Sequence, residues 1–365
     1  MDCCAILVNY RGAEDTAAAA RSVFADQPSL QVVVIDNSTD DVEFAKLKQL
    51  LPVEAQLIAA PQNLGFGRAC NWAFNLSNAA FVLLVNPDVR IIPGCIATLL
   101  EEMRADDRLG AVGPRQFLDD ACRWQLPPSW FPTALRAWAT EMALRNRRYA
   151  KRLSHGLRAE SLRFWTASQT VSQRSLSGGA MLIRRGAIDA SQELFDPRFF
   201  MYFEDSDLCC RVKQGGYRVG VVPQAKAVHR WRNQAHKGPL MAEAAALYFA
   251  KHWGSENLWH EKSAQLVKAP ELKQLLGGSR AFPEAGLVVP TSWESGWLLE
   301  LSPSPLVSPA IGLFGTGPLV SFPQDALANF EGAKVFGRLG PSFTPVAADN
   351  YWYFEWNSGS STEDV

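Results

Sequence analysis

Much of what would place this chain in a familiar class is scarce or missing. No apolar run approaches the ~20 residues that a bilayer-spanning helix needs, although 47% of the 365 positions are hydrophobic, so that content has to be buried in a globular core. An excess of charge of one sign is lacking too. The 36 basic residues face 37 acidic ones, a net charge of −1, and no nucleic-acid partner is expected without a basic surface. Cysteine occurs seven times (Cys3, Cys4, Cys70, Cys95, Cys122, Cys209 and Cys210). The number is odd and no pair has CxxC spacing, so these read as small core residues in a reducing cytosol. The N-terminus enters an apolar segment without a basic n-region or a cleavage site, from which a cytoplasmic location is expected. The first βα turn, NYRGAEDT, lacks GxGxxG. That speaks against a nicotinamide-dependent dehydrogenase, although Asp36 sits where a ribose-binding acid could.

What is present is a regular alternation. CAILVNY, QVVVIDNS, QLIAA and FVLLV read as strands. Between them, helices are expected from Glu14 to Phe24, from Val42 to Leu51 and from the NLGFG segment through Leu76. Continuous apolar strands separated by helices imply a mostly parallel central sheet with helices on both faces. Ligands bind such sheets at the carboxyl ends of the strands, and Asn9, Asp36, Asn37 and Asp88 all fall at such ends.

Between positions 116 and 173 the pattern changes. Trp124, Trp130, Phe131, Trp138 and Trp165 are interleaved with Arg145, Arg147, Arg148, Lys151, Arg152 and Arg158, and no acid lies between Glu141 and Glu160. This reads either as a solvated basic helix packed by its aromatics or as a platform for an anionic acceptor or a membrane surface. SLSGGAMLIRR resumes the core, FFMYFEDSDLCCRVKQGG reads as a helix closed by Gly215-Gly216, and YRVGVVP is a strand leading to AVHRW. Beyond Gly277 short apolar bursts among Pro, Gly and Ser suggest a small antiparallel β module.

Two acidic sites carry the chemistry. Asp88, in Asn86-Pro87-Asp88 at the mouth of FVLLV, suits a hard divalent cation bridging phosphate oxygens, though Asn-Pro-Asp is also ordinary turn sequence. Glu204 and Asp205 follow a dense aromatic run, where a carboxylate can gain basicity and act as a general base. They would also suit the positive end of a helix dipole. His229 is one of only five histidines and could complete a metal shell with Asp88.

The segments VNY, VIDNSTD, NLGFGRACN, LLVNPD, LSGGAMLIRR, FFMYFEDSDLCCR and VVPQAKAVHRW occur in one order. Together they resemble the family-2 glycosyltransferases of GT-A fold, and within them the bacterial rhamnosyltransferase-like members. The resemblance covers about residues 3 to 255. It implies an α/β, Rossmann-like GT-A domain over 1–265 with a variable basic and aromatic acceptor insert at 116–173. The small β-rich module over 278–356 and a disordered tail at 357–365 are read from composition alone, and the module has no counterpart in the resemblance. The resemblance also implies a nucleotide-diphosphate sugar donor, a divalent metal (Mn2+ or Mg2+) and inversion at the anomeric carbon, with a glycan or lipid-linked acceptor. Asp205 would be the base, supported by Glu204, and Asp88 and His229 would hold the metal, with Asn86 in place of the first Asp of the usual DXD. The donor side would comprise Asn9, Asp36, Asn37, Asn63, Gly65, Arg68, Asn86, Gly179 and Trp231. A peripheral contact with the inner face of the cytoplasmic membrane and self-association are both compatible with these features. The rival reading is a non-catalytic sugar-nucleotide sensor or scaffold that keeps the fold.

Overall fold

The computed structural model describes residues 2–230, 237–254, 258–280, 286–321, 330, 334–344 and 350–355. The expected alternation is present from the start. Strands β1 (Cys3–Asn9), β2 (Gln31–Asp36), β3 (Gln56–Ala59) and β4 (Phe81–Val85) are separated by helices α1 (Ala13–Asp26), α2 (Asp41–Leu50) and α3 (Phe66–Asn75). The period-two alternation of a strand explains why β1 is apolar throughout. Cys4, Ile6 and Val8 enter one core, while Cys3, Ala5 and Leu7 enter a second core on the opposite face. Local signals set the helix starts where they are visible. Asp40 caps α2 by accepting from the backbone N–H groups of Val42 and Glu43, satisfying donors that the first turn leaves orphaned. Six of the seven cysteines are buried, and all seven are free thiols.

Next come β5 (Val89–Ile91), α4 (Cys95–Ala105), β6 (Leu109–Phe117) and β7 (Trp124–Gln125), then α5 (Ala134–Arg145) and α6 (Arg147–Trp165). They are followed by β8 (Val171–Ser172), β9 (Ala180–Arg184), α7 (Glu204–Gln214), β10 (Arg218–His229), α8 (Lys237–Trp253) and α9 (Leu258–Val267). The sheet is mixed, which corrects the expectation of a mostly parallel one. β1 pairs in parallel with β2 and β4, β2 with β3, and β10 with β6, but β9 lies antiparallel between β4 and β6. A buried apolar strand reads the same in either direction, so sequence periodicity could not reveal this reversal. YRVGVVP and AVHRW are not two segments. β10 is continuous, with a register shift between Val222 and Lys226, and it delivers His229 at its end.

Helix α7 begins at Glu204, later than the aromatic run suggested, because Tyr202 and Phe203 hold φ of 72° and 64°. Two successive non-glycine residues in that region cost about 1–3 kcal/mol each. Side-chain contacts fix the helix after that turn. Buried Asp207 meets Arg211 at 2.9 Å within α7, and Lys251 at 2.6 Å and His252 at 2.8 Å on α8.

The C-terminal strands are β11 (Gly278–Ser279), β12 (Leu287–Val288), β13 (Trp297–Ser302), β14 (Ile311–Gly315), β15 (Leu319–Val320), β16 (Lys334–Pro341) and β17 (Tyr351–Glu355). Apart from β12 and β15, which pair with each other in a separate two-stranded sheet, they join the rest. β14 pairs with the short β7, Leu313 opposite Trp124, so the antiparallel strands β14, β13, β16 and β17, with β11 parallel at the edge, continue the central sheet. The insert is tied in as well. Arg158 of α6 and Arg338 of β16, both fully buried, share the carboxylate of Glu300 on β13. Not all of the insert is a solvated basic face: Arg136 pairs with Glu160 and Arg145 with Glu141, while Arg147, Arg148, Lys151 and Arg152 are exposed. The segment 357–365 lies outside the described residues.

Candidate active site at the carboxyl rim of the sheet

The two acidic sites, far apart in sequence, meet at Gly178-Gly179. The Gly178 N–H donates to Asp205 Oδ2 at 3.1 Å. The Gly179 carbonyl accepts from Asn86 N–H at 2.8 Å, and a Cβ on Gly179 would stand 2.6 Å from His229 Cε1. Only glycine lets the imidazole come so close. One dipeptide therefore fixes Asp205 on one side and the Asn86–Asp88–His229 group on the other.

Within that group, His229 Nε2 lies 3.4 Å from Asp88 Oδ1, and its Nδ1 lies 2.7 Å from Gln116 Oε1. With Nδ1 as the donor to the amide oxygen, the Nε2 lone pair is directed to the Asp88 side, the arrangement of a metal-ligating histidine with its orienting partner. Asn86 Oδ1 is buried and finds no partner among the described residues. Among those residues no three His, Cys, Asp or Glu side chains converge as a full metal shell. Asp88 and His229, with an orphaned amide oxygen on Asn86 two residues before Asp88, fit a hard divalent ion whose other ligands would be phosphate and water oxygens.

The residues expected on the donor side begin at the ends of β1 and β2. Asp36 is buried, and its Oδ1 accepts from Asn9 Nδ2 at 2.8 Å and from Ser38 Oγ and N–H at 2.6 and 3.2 Å. Asn37 serves the neighbouring loop. Its Oδ1 accepts from Leu64 N–H at 2.8 Å, and its Nδ2 donates to Asn63 Oδ1 and the Gly65 carbonyl at 2.9 and 3.1 Å. Gly65 has φ 75° and packs so tightly that a Cβ would fall 2.2 Å from the Phe200 carbonyl oxygen. That oxygen accepts from Phe66 N–H at 3.0 Å, joining the Gly65 loop to the segment that leads into Asp205. Arg68 is exposed, and its Nε donates to the Pro197 carbonyl at 2.7 Å on the same segment. Trp231 lies outside the described residues.

The acidic pair is electrostatically distinctive. Asp205 Oδ1 accepts from Ser206 N–H at 2.6 Å. Burial nevertheless raises its pKa, with the Gly178 and Ser206 N–H groups pulling the other way. Glu204 is more extreme. Its Oε2 is buried and finds no partner among the described residues, and burial followed by the neighbouring Asp205 charge pushes its pKa up to about 8. The sign of the linkage is then fixed. A carboxyl with a raised folded-state pKa contributes stability that is present in full below its unfolded value and is lost as pH rises through its folded value. Urea unfolding should therefore show stability falling from about pH 5 to about pH 8, by on the order of a few kcal/mol, and Glu204→Gln should flatten that slope. Identical slopes in the two proteins would rule out Glu204 as the titrating group.

Gln116 and Ser38 were not anticipated, yet they orient His229 and Asp36 respectively. The strand-end rule that selected Asp36 would also have selected Gln116, since GAVGPRQF ends β6 on the same rim.

Comparison with known proteins gives this geometry a lineage. Residues 4–172 match the family model described as Glycosyl transferase family 2. The chain carries a family-2 glycosyltransferase domain. The match ends before Asp205 and His229, so the placement of those two residues rests on motif order and on the geometry above. The chain is 28% identical over 288 residues, 72% of its length and 84% of the relative's, to an N-acetylglucosaminyl-diphospho-decaprenol L-rhamnosyltransferase of Mycobacterium tuberculosis. The same protein from a second strain matches equally. Its fold resembles that of GalNAc-T7, solved with UDP, GalNAc and Mn2+, at a TM-score of 0.50 and 14% identity. That alignment covers 73% of this chain but only 51% of the other, and it bears on the fold alone. The family-2 domain is thus a GT-A-like α/β fold built on a mixed sheet, and this protein is a glycosyltransferase.

Proposed function

We propose that this family-2 enzyme moves a sugar, rhamnose by analogy with the mycobacterial relative, from a nucleotide diphosphate to a hydroxyl of a lipid-linked or glycan acceptor, with inversion. The observation that carries the reading is the Gly178-Gly179 joint, which sets a desolvated carboxylate against a candidate cation site. Asp36, held through Oδ1 by Asn9 and Ser38, would bond the nucleoside. Asp88 Oδ1 and His229 Nε2 would hold a divalent cation, and the unpartnered Asn86 Oδ1 is a further oxygen donor two residues away in sequence from Asp88. When bound, such an ion offsets negative charge on the leaving diphosphate. Asp205 takes the proton of the acceptor hydroxyl as its oxygen attacks the anomeric carbon on the face away from the nucleotide. Bond formation and departure in one displacement account for inversion. No helix among the described residues is long and apolar enough to cross a membrane. The exposed Arg147, Arg148, Lys151 and Arg152 suit a peripheral contact with anionic lipid, which would bring a lipid-linked acceptor to the site.

Thermal unfolding with a panel of sugar nucleotides, with and without Mn2+, tests this reading because ligand binding raises apparent stability by mass action. One nucleotide sugar should stabilise the protein in a Mn2+-dependent way. Asp88→Ala should weaken that effect by at least the 10–100-fold that changes around a metal ligand typically cost. Full transfer by wild type in EDTA would count against the cation site. Binding of the nucleotide sugar without any transfer would favour the sensor reading.

A further inference from the structure

A cavity of about 230 Å³ opens beside His229 and Gln116. Its walls come from three separate parts of the chain. Ala180 and Val221 on the central sheet form one side, Phe164 and Trp130 of the insert a second, and Leu301 and Ile311 of the C-terminal strands a third. The polar lining is uneven. His229, Gln116 and Ser177 cluster at the end next to the Gly178-Gly179 joint, where Ser177 Oγ accepts from Gly179 N–H at 3.2 Å. Away from that end Ser129 is the one polar side chain among the lining residues.

The walls are fixed in place. Trp165 Nε1 donates to the Leu126 carbonyl at 2.8 Å, anchoring the loop that runs to Trp130. Gly312 of β14 packs so closely on Trp165 that a Cβ there would approach its ring to 2.8 Å. Arg136 lies over the Trp130 ring at 5.0 Å while its guanidinium holds Glu160. A preformed apolar cavity binds an apolar group without an ordering cost.

We infer that this cavity takes the aliphatic chain of the acceptor, so that the C-terminal strands serve as an acceptor-binding wall. The occupant follows from the polarity of the lining. An amphiphile whose hydroxyl-bearing end lies at Asp205 and His229 has its apolar body directed between Phe164 and Ile311. The identity of the occupant as an acceptor rests on the transfer reading given above, whereas the existence of an aliphatic-chain site does not.

Butyl, hexyl and octyl glycosides, used below their micellar concentrations, test the site by calorimetry on the full-length protein. Affinity should rise on the order of fourfold per added methylene until the cavity is filled. Ala310→Phe on the C-terminal wall and Ser129→Phe on the facing loop should each flatten that gradient while Mn2+-dependent nucleotide-sugar binding is retained. Two variants on opposite walls guard against one of them failing to fold. The absence of a gradient in wild type, or an unchanged gradient in both variants, overturns the inference. A normal gradient in a wild-type protein that binds no nucleotide sugar would support the aliphatic-chain site and sink the transferase reading instead.

Discussion

Asp205→Asn should lower sugar transfer by about 10²- to 10⁴-fold, the usual worth of a general base, with nucleotide-sugar affinity unchanged. The substitution is nearly isosteric. The single amide oxygen can keep the bond from Gly178 N–H, which now donates to Oδ2 at 3.1 Å, while the amide NH2 takes the place of the oxygen that accepts from Ser206 N–H at 2.6 Å, so the joint to the candidate cation site should survive with one of its two bonds. What disappears is basicity. Burial raises the Asp205 pKa above the ordinary 3.8, giving a better base than an exposed aspartate. Its two backbone donors, Gly178 and Ser206 N–H, oppose that rise. The wild-type rate at low acceptor concentration should therefore climb with pH along a limb displaced upward from an ordinary aspartate, and Asp205→Asn should lose that limb. Glu204→Gln should alter transfer far less, because Glu204 titrates too high and is too buried to receive a proton directly from an acceptor. Unchanged turnover in Asp205→Asn would remove Asp205 from the chemistry. A matching loss of donor binding would make it a binding residue.

The parts of the site legible in the sequence were those written as strand ends. Asn9, Asp36, Asp88 and His229 each close a run of buried apolar residues, so their shared rim follows from periodicity once the strands share a sheet. Gly65 and Gly179 were visible as glycines, but the reason only glycine serves (the Phe200 carbonyl at one, the His229 ring at the other) is a tertiary contact with a distant segment. Asn37 and Asn63 show the converse. Their polarity suggested ligand contacts, whereas each bonds the other and the loop around Gly65. The direction of β9 was hidden because Ala180–Arg184 is buried whichever way it runs. The role of the last strands was hidden for a related reason: GLVVP, WLLEL and GLFG predict edges and a core, and nothing in them specifies that β14 attaches to the two-residue β7.

That attachment makes Glu300→Ala the most destabilising single change expected, at about 3–5 kcal/mol. Glu300 is 1% exposed, and it is the carboxylate shared by Arg158 and Arg338, each 0% exposed. Its Oε2 accepts from Arg338 Nε at 2.7 Å and its Oε1 from Arg338 Nη2 at 2.5 Å, with Arg158 Nη1 as the third donor. The two arginines respond oppositely. Burial lowers the pKa of Arg158, whereas for Arg338 the same burial penalty is outweighed by its two bonds to Glu300 and the pKa is raised. Removing Glu300 leaves two buried cations with backbone and hydroxyl acceptors, Pro341 O for one and Ser154 for the other, and no counter-charge. Replacing all three residues with apolar side chains of similar volume should restore most of the loss, since a buried ion pair is worth little net against good packing while half of one is costly. Urea midpoints of the single and triple variants separate the two effects. A midpoint for Glu300→Ala equal to wild type would mean that α6 and β16 do not depend on this carboxylate. Because Arg158 belongs to the insert and Arg338 to the last strands, the expected loss also says that deleting residues after about 277 should unfold the insert rather than release an intact, shorter transferase.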